Sequence, residues 1–454
     1  MLFRHSCIPS GRLSGRAGFH LLVRNRIRNV WRFLLGCVCA SSLCGKEATT
    51  PPALSLAQAQ QLALQNNADF RITQTQVAAA VAQLRAAREF PNPVAGFSTG
   101  KINTDGRGNA TADGNRFYDR SYDSIVSLSQ LIELGKRGVR RTSMEAGLRS
   151  AEAQRDDARR LLRETVSQAY LSALEAREEV RVLTESAVSL RKEADIAAVR
   201  FHAGDIAASD QAQIEITAAQ LEMSATSARA AARNAVIVLE ILLNQPAPRG
   251  ETELSDKLEA LTGLAESKDT PVGPRPDVVA AEASVTKAES DLKLQKRGVV
   301  PDMTVSLQFE HQPPDQPNTV GVGVSFPLPL WNRNTANILS AKAARDQMLA
   351  QLDKVRVQAS ADVAFARFAN EEARVRAETY RGELQPKSDS ISKTVAYAYA
   401  KGGASLVELL AAERNDNDIR LAAVRARADW LVASAALEAA LNLSAALTSG
   451  HPTP

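Results

Sequence analysis

Asp210 and Glu408 each stand six residues past a glycine, Gly204 and Gly402, and those glycines lie 198 residues apart in a chain of 454. An acid so placed can do one of two things. It can sit in the first turn of a helix, where the positive end of the helix dipole favours it. Or, if copies of the chain gather around an axis, it can contribute to an acidic ring that attracts cations. Neither is catalysis, and the other reactive side chains offer no catalytic pattern. The five histidines, His5, His20, His202, His311 and His451, are far apart, with no His-Glu-x-x-His and no Cys/His cluster. Gly321-Val322-Gly323 is followed by Pro327 and Pro329, not by the helix that a phosphate loop requires. The four cysteines (Cys7, Cys37, Cys39, Cys44) all lie near the N-terminus, so thiolates neither staple nor metallate the body. The pattern excludes an enzyme and implies no cofactor and no resident metal.

The elements that carry the two acids occur twice. Pro91-Asn92-Pro93 and Pro301-Asp302 follow predicted helices, and the second turn trails the first by 210 residues. Two short strands come next, then a break at Leu134-Gly135-Lys136-Arg137 or Leu330-Trp331-Asn332-Arg333, an offset of 196. Long helices joined at Gly204 or Gly402 complete each unit. Such duplication predicts one pseudo-symmetric body. The divisions are a leader over 1–45, a first repeat over 54–245, a connector over 246–275, a second repeat over 276–445 and a tail over 446–454.

In the second repeat Met303, Val305, Leu307 and Phe309 alternate with Thr304, Ser306, Gln308 and Glu310, and Val320, Val322, Val324 and Phe326 with Gly321, Gly323 and Ser325. Period two with one apolar face predicts strands. The connection His311–Thr319 reads as a polar loop. The first repeat has weaker strands near Val94–Ile102 and Tyr122–Leu131, with a longer loop holding Asp105-Gly106-Arg107-Gly108 and the aromatics Phe117, Tyr118 and Tyr122.

Ser55 is placed to cap a helix running to about Phe90. From Val139 to Arg200 there is no proline and one glycine, Gly147. Within this stretch Leu162, Val166, Ala169, Ala173, Ala176, Val180, Leu183, Ala187, Leu190, Ala194, Ala197 and Phe201 keep a 4-3 spacing, a coiled-coil seam. Alanine-rich seams with second apolar edges, such as Ile237 and Leu239, predict helices packed on more than one side and curved into a tube. The connector is expected to hold a short helix, Ser255–Leu264.

The excess of 55 basic over 51 acidic residues is misleading, because residues 1–32 hold seven arginines and no acid. Without them 48 basic residues face 51 acidic ones, so no nucleic-acid partner follows. That stretch and the apolar run Phe33–Ala40 read as an export signal, too short to span a bilayer as a helix. Leu34-Leu35-Gly36-Cys37 resembles a lipoprotein cleavage box, which makes Cys37 a candidate for lipidation; the alternative is that all four cysteines leave with the signal.

Four strands cannot close a barrel, and open edges cannot sit in lipid. Three chains would supply twelve strands, with valines and phenylalanines towards lipid and Gln308 and Glu310 towards a lumen. Residues 54–445 as a whole resemble the TolC-like outer-membrane efflux proteins. Ile132–Arg137, Phe326–Arg333 and Tyr399-x-x-Gly402 with Leu406-x-Glu408-Leu409-Leu410-x-Ala412-x-Arg414 are similar to its heavy-metal (cobalt–zinc–cadmium) efflux subgroup. The fold class expected is mainly α with a small β part: a long helical coiled-coil barrel and four strands per chain in a trimeric, twelve-stranded transmembrane β-barrel.

The resemblance implies a homotrimeric conduit in the outer membrane of a Gram-negative bacterium, extending into the periplasm. Its partners would be a periplasmic adaptor protein and an inner-membrane, proton-driven resistance-nodulation-division pump, and its cargo divalent heavy-metal cations. The alternative is the same conduit serving drug or other small-molecule efflux or type I secretion. The resemblance also implies adaptor-docking tips at Gly204, Asp205, Gly402 and Gly403, and a periplasmic gate formed by Asp210, Tyr399 and Glu408 in which tyrosine–aspartate links join neighbouring tips. Ala411 and Ala404 depart from the family's gate pattern. The residues implied to face lipid are Val305, Leu307, Phe309, Val322 and Val324. The rival reading, a periplasmic adaptor or coiled-coil scaffold, predicts one hairpin with lipoyl-like strands, whereas this sequence has two hairpins and none.

Overall fold

A computed structural model describes residues 53–100, 123–263, 273–312 and 316–443. The leader with Cys37, the Asp105–Tyr122 loop, residues 264–272 and the tail from 444 lie outside the described residues.

The elements run α1 (Leu56–Asn66), α2 (Ala68–Arg88), β1 (Val94–Gly100), β2 (Asp123–Ile132), α3 (Arg137–His202) and α4 (Ala208–Leu242). The second repeat follows as α5 (Pro276–Arg297), β3 (Met303–Gln312), β4 (Gln316–Ser325), α6 (Thr335–Thr379), a π-turn (Tyr380–Leu384), α7 (Gln385–Ala400) and α8 (Leu406–Leu441). α3 has 66 residues, so at ~1.5 Å per residue it is about 100 Å long. The expected seam is buried at Val166, Ala173, Ala187, Leu190, Ala194 and Ala197. Tyr170, Leu171, Leu174 and Val182 are buried too, outside that seam. A second stripe is what a helix needs when it packs on α2 and α5 as well as on α4.

Three expectations need correction. The helix from Ser55 does not run unbroken to Phe90. It stops at Asn67, whose Oδ1 accepts from Phe70 N at 3.0 Å to cap α2 while its Nδ2 donates to Leu242 O at 3.1 Å. Asn67 thus gives up helical backbone geometry in exchange for a cap and a tertiary contact. The short helix Ser255–Leu264 is also absent over its described part. Leu254 instead forms a parallel bridge with Leu54, and Asp256 accepts from Leu56 N and Tyr170 Oη, each at 2.9 Å. With those groups engaged elsewhere, local helix loses. Lastly, His311–Thr319 is mostly strand: β3 continues to Gln312, which pairs with Gln316 past a bulge. Main-chain pairing carries the hairpin beyond its apolar band.

Glu240 anchors the start of the connector. Only 2% exposed, its carboxylate accepts from the backbone N–H groups of Arg249 (2.6 Å), Gly250 (2.8 Å), Glu251 and Thr252 (3.2 Å each) and from Thr252 Oγ1 (2.7 Å). Burial alone would raise its pKa, but this ring of donors outweighs burial and holds it below the usual carboxylate range.

The strands form one antiparallel meander, β1-β2-β3-β4, and β2 pairing with β3 joins the two repeats. Phe97, Val126, Phe309 and Val320 share one cross-strand row, and Ala95, Leu128, Leu307 and Val322 the next. Val305 pairs with Val324 on the same face. The opposite face is small or polar along β3 and β4, while β2 adds Ile125 and Leu131 to it beside Ser127 and Ser129. A Cβ on Gly96 or Gly323 would stand 2.7 Å from Ser127 Oγ or Ser306 Oγ, so these glycines leave room for neighbouring serines to lie flat.

Candidate conduit surfaces and helical tips

Both helical tips end in the same way. His202 closes α3 and Ala400 closes α7, and the chain turns through Gly204 (φ 83°) and Gly402 (φ 79°). In the first tip Asp205 N donates to Arg200 O at 2.9 Å and Gly204 N to Phe201 O at 3.0 Å. In the second Gly403 N donates to Ala398 O at 2.8 Å and Gly402 N to Tyr399 O at 3.0 Å. This paired closure requires a left-handed residue, which glycine adopts without strain. Asp205 and Gly403 therefore occupy equivalent places, one charged and one bare. All four tip residues are exposed.

Glu408 lies in the first turn of α8 inside a capping box. Ser405 N donates to Glu408 Oε2 at 2.7 Å, and Glu408 N donates to Ser405 Oγ at 3.3 Å. The Ser405 N–H, and then its hydroxyl, hold the Glu408 pKa below the ordinary value. The spacing Ser405-x-x-Glu408 announces this box in the sequence, and the sequence reading passed over it. In the other tip Ala207 takes the capping place, so Asp210 has no such partner; Ser209 Oγ approaches its Oδ1 at 3.4 Å.

Tyr399 is only 6% exposed and belongs to an apolar cluster with Leu190, Ala194, Ala197, Ile214, Ala218, Leu406 and Leu409. That cluster draws on α3, α4, α7 and α8, so it fastens the two tips of one chain to each other. The Arg200 guanidinium lies 5.2 Å from the Tyr399 ring centre, a cation–π contact. Arg200 was missing from the sequence reading, since nothing in one repeat alone shows what crosses to the other. Asp210 and Glu408 flank this cluster at the starts of α4 and α8.

Among the described residues, no three His, Cys, Asp or Glu side chains are grouped to hold a metal ion, and no helix is long and apolar enough to cross a membrane. The sheet is different. Leu307, Phe309, Val322 and Val324 are exposed on its apolar face, Val305 is half-buried there, and Phe97, Val126 and Leu128 extend that face into the first repeat. The first-repeat strands carry the same alternation, broken by Gln130 on the apolar face and by Ile125 and Leu131 on the opposite one.

The profile of the family described as outer membrane efflux protein matches residues 59–245 and 273–443. The cobalt-zinc-cadmium resistance protein CzcC of Cupriavidus metallidurans is 25% identical over 294 residues, 64% of this chain and 70% of that protein. A membrane protein from Pseudomonas aeruginosa has a similar fold, with a TM-score of 0.71 at 22% identity over 85% of this chain and 92% of its own. The CmeC outer membrane channel of Campylobacter jejuni gives 0.71 at 19% identity, covering 85% of each chain. CusC, described in connection with transmembrane channel formation, gives 0.70 at 18% over 85% of this chain and 91% of its own. At such identities the structural likeness is one of fold.

Proposed function

Since this chain belongs to the outer membrane efflux protein family, we propose that three copies close into one conduit that passes divalent heavy-metal cations to the exterior. The chain is an outer-membrane efflux channel of the TolC-like kind, not an enzyme. One observation carries the trimer: a four-stranded meander with two open edges and one exposed apolar face. In lipid every strand edge must be paired and every lipid-facing side chain apolar. β2, β3 and β4 have ten residues each, the length of roughly 9–11 that a tilted transmembrane strand needs. Three copies supply twelve strands, with Val305, Leu307, Phe309, Val322 and Val324 towards lipid. α3, α4, α6–α7 and α8 continue the tube through the periplasm.

In this reading the tips at Gly204, Asp205, Gly402 and Gly403 meet a periplasmic adaptor protein, which links the conduit to a proton-driven inner-membrane pump. Asp210 and Glu408 ring the mouth, and the Tyr399 hydroxyl donates to Asp210 of a neighbouring tip. The heavy-metal cargo is supported by the likeness to CzcC and by the break and tip motifs. Deleting the gene should sensitise its host to cobalt, zinc and cadmium, and restoring it should reverse the effect. Unchanged metal tolerance with new sensitivity to organic drugs would assign the conduit to a different pump.

A further inference from the structure

The repeats are equivalent in sequence but not in surroundings, and the difference locates a seam. The first break is held by the second repeat's turn. Leu134 N donates to Asp302 Oδ1 at 3.2 Å, and Lys136 Nζ lies 2.9 Å from Asp302 Oδ2. This contact exists because β2 and β3 are neighbours, so the end of one meets the start of the other. At the corresponding second break no residue among those described plays that part. Leu328 and Leu330 are exposed and Trp331 is 93% exposed. The segment is nevertheless built. Pro327 and Pro329 stiffen it, and Asn334, at φ 58°, ties its end to α5 through Nδ2 donating to Gln295 O at 2.7 Å.

The counterpart of the Pro301-Asp302 turn is Pro91-Asn92, which precedes β1, the other open edge of the sheet. Phe90 beside it is 72% exposed, with the Arg137 guanidinium 3.6 Å from its ring centre. Phe90, Pro91, Gln130, Ile132, Glu133 and Arg137 line a groove of 310 Å³ at that corner. β4 leaves the sheet, and β1 enters it, at the same end. When β4 of one copy pairs with β1 of the next, the second break of the first copy must therefore arrive beside the first turn of its neighbour.

We propose that the Leu328–Trp331 segment is an intersubunit clasp: it seats on the Phe90–Asn92 turn and groove of the adjacent copy, reproducing between chains the contact that Leu134–Lys136 makes with Asp302 within one. The occupant is a second copy of this chain, and the inference rests on the trimeric reading above. Apolar side chains that a monomer leaves in water are covered by the closure that completes the barrel.

The test is disulfide trapping in the purified full chain, combining Phe90→Cys with Leu330→Cys, against each single variant and against Phe90→Cys with Val357→Cys. Mild oxidation should give covalent dimer and trimer bands with the first pair and lose them with every control. Absence of those bands from a protein that light scattering shows to be trimeric would overturn the clasp and leave the conduit intact. Labelling of Leu330→Cys in that trimer by a membrane-partitioning maleimide would assign the segment to lipid instead. A monomer in detergent and in nanodiscs would overturn both readings. As a second measurement, Trp331→Glu should reduce the heat resistance of the trimer without changing the helical content of the chain.

Discussion

At the residue scale the tips separate two duties that the sequence leaves superimposed. Glu408 caps its own helix through Ser405, and this accounts for its position whether or not it also attracts cations. The two duties respond to different substitutions. Ser405→Ala removes the cap and should cost about 1 kcal/mol of tip stability, seen as faster amide exchange in the first turn of α8. Glu408→Gln keeps an acceptor at the same place in the box and removes the charge. It should leave exchange nearly unchanged while lowering cation preference in planar-bilayer recordings; unchanged selectivity would leave only the cap. The Tyr399 ring belongs to the apolar cluster between the tips, and phenylalanine keeps that ring. Tyr399→Phe should therefore retain the trimer's stability. If the hydroxyl latches to Asp210 across a subunit boundary, the loss of about 1.5–3 kcal/mol per shielded charge-assisted bond should raise the frequency of open events.

At the element scale the decisive contacts are those between segments distant in sequence. Glu240 shows the strength of one such element. Its two oxygens accept from four N–H groups and one hydroxyl, so Glu240→Gln places an amide NH2 against backbone donors and should destabilise the chain by about 2–4 kcal/mol, measured by denaturant unfolding. The sheet gives a sided prediction. Val322→Arg on the apolar face should cost roughly 2–4 kcal/mol and impair membrane assembly, whereas Gln308→Arg on the opposite face should assemble normally. Heat-modifiability of outer-membrane fractions distinguishes them. Strand faces and the long helices were legible in the sequence because each is a local period of two or of 4-3 spacing. The break at Asn67, the extended Leu254–Asp256 stretch and the strand character of Gln312 and Gln316 were not. Each is settled by a partner far along the chain: Leu242 for Asn67, Leu54 and Tyr170 for the connector, the facing strand for the hairpin end. The Tyr399 cluster escaped for the same reason, since its members come from both repeats. Ser405-x-x-Glu408 is the local exception, since its spacing alone specifies the capping box.

At the scale of the whole molecule, a duplicated unit with open sheet edges has the logic of a passage. A passage must release what it admits. Steered association of a small cation with an acidic mouth proceeds at ~10⁸–10⁹ M⁻¹s⁻¹. A resident site with Kd near 10⁻⁷ M would thus hold each ion for roughly 10–100 ms, the reciprocal of rate times affinity. Every ion would wait in turn at such a site, and the conduit would become the slow step of a pump-driven cycle. Weak, diffuse attraction by carboxylates avoids that delay, because hard oxygen donors without imidazole or thiolate partners bind transition metals loosely. His202 is in α3 and His311 in β3, at opposite ends of the first break's helix and of the sheet, and no third donor joins either among the described residues. Calorimetry on the purified trimer should accordingly detect no zinc or cobalt site tighter than about 1 µM, while Asp210→Asn together with Glu408→Gln should lower cation selectivity in bilayers. A submicromolar site in the calorimeter would mean that the conduit itself selects the ion, and the division of labour that leaves selection to the pump would be wrong.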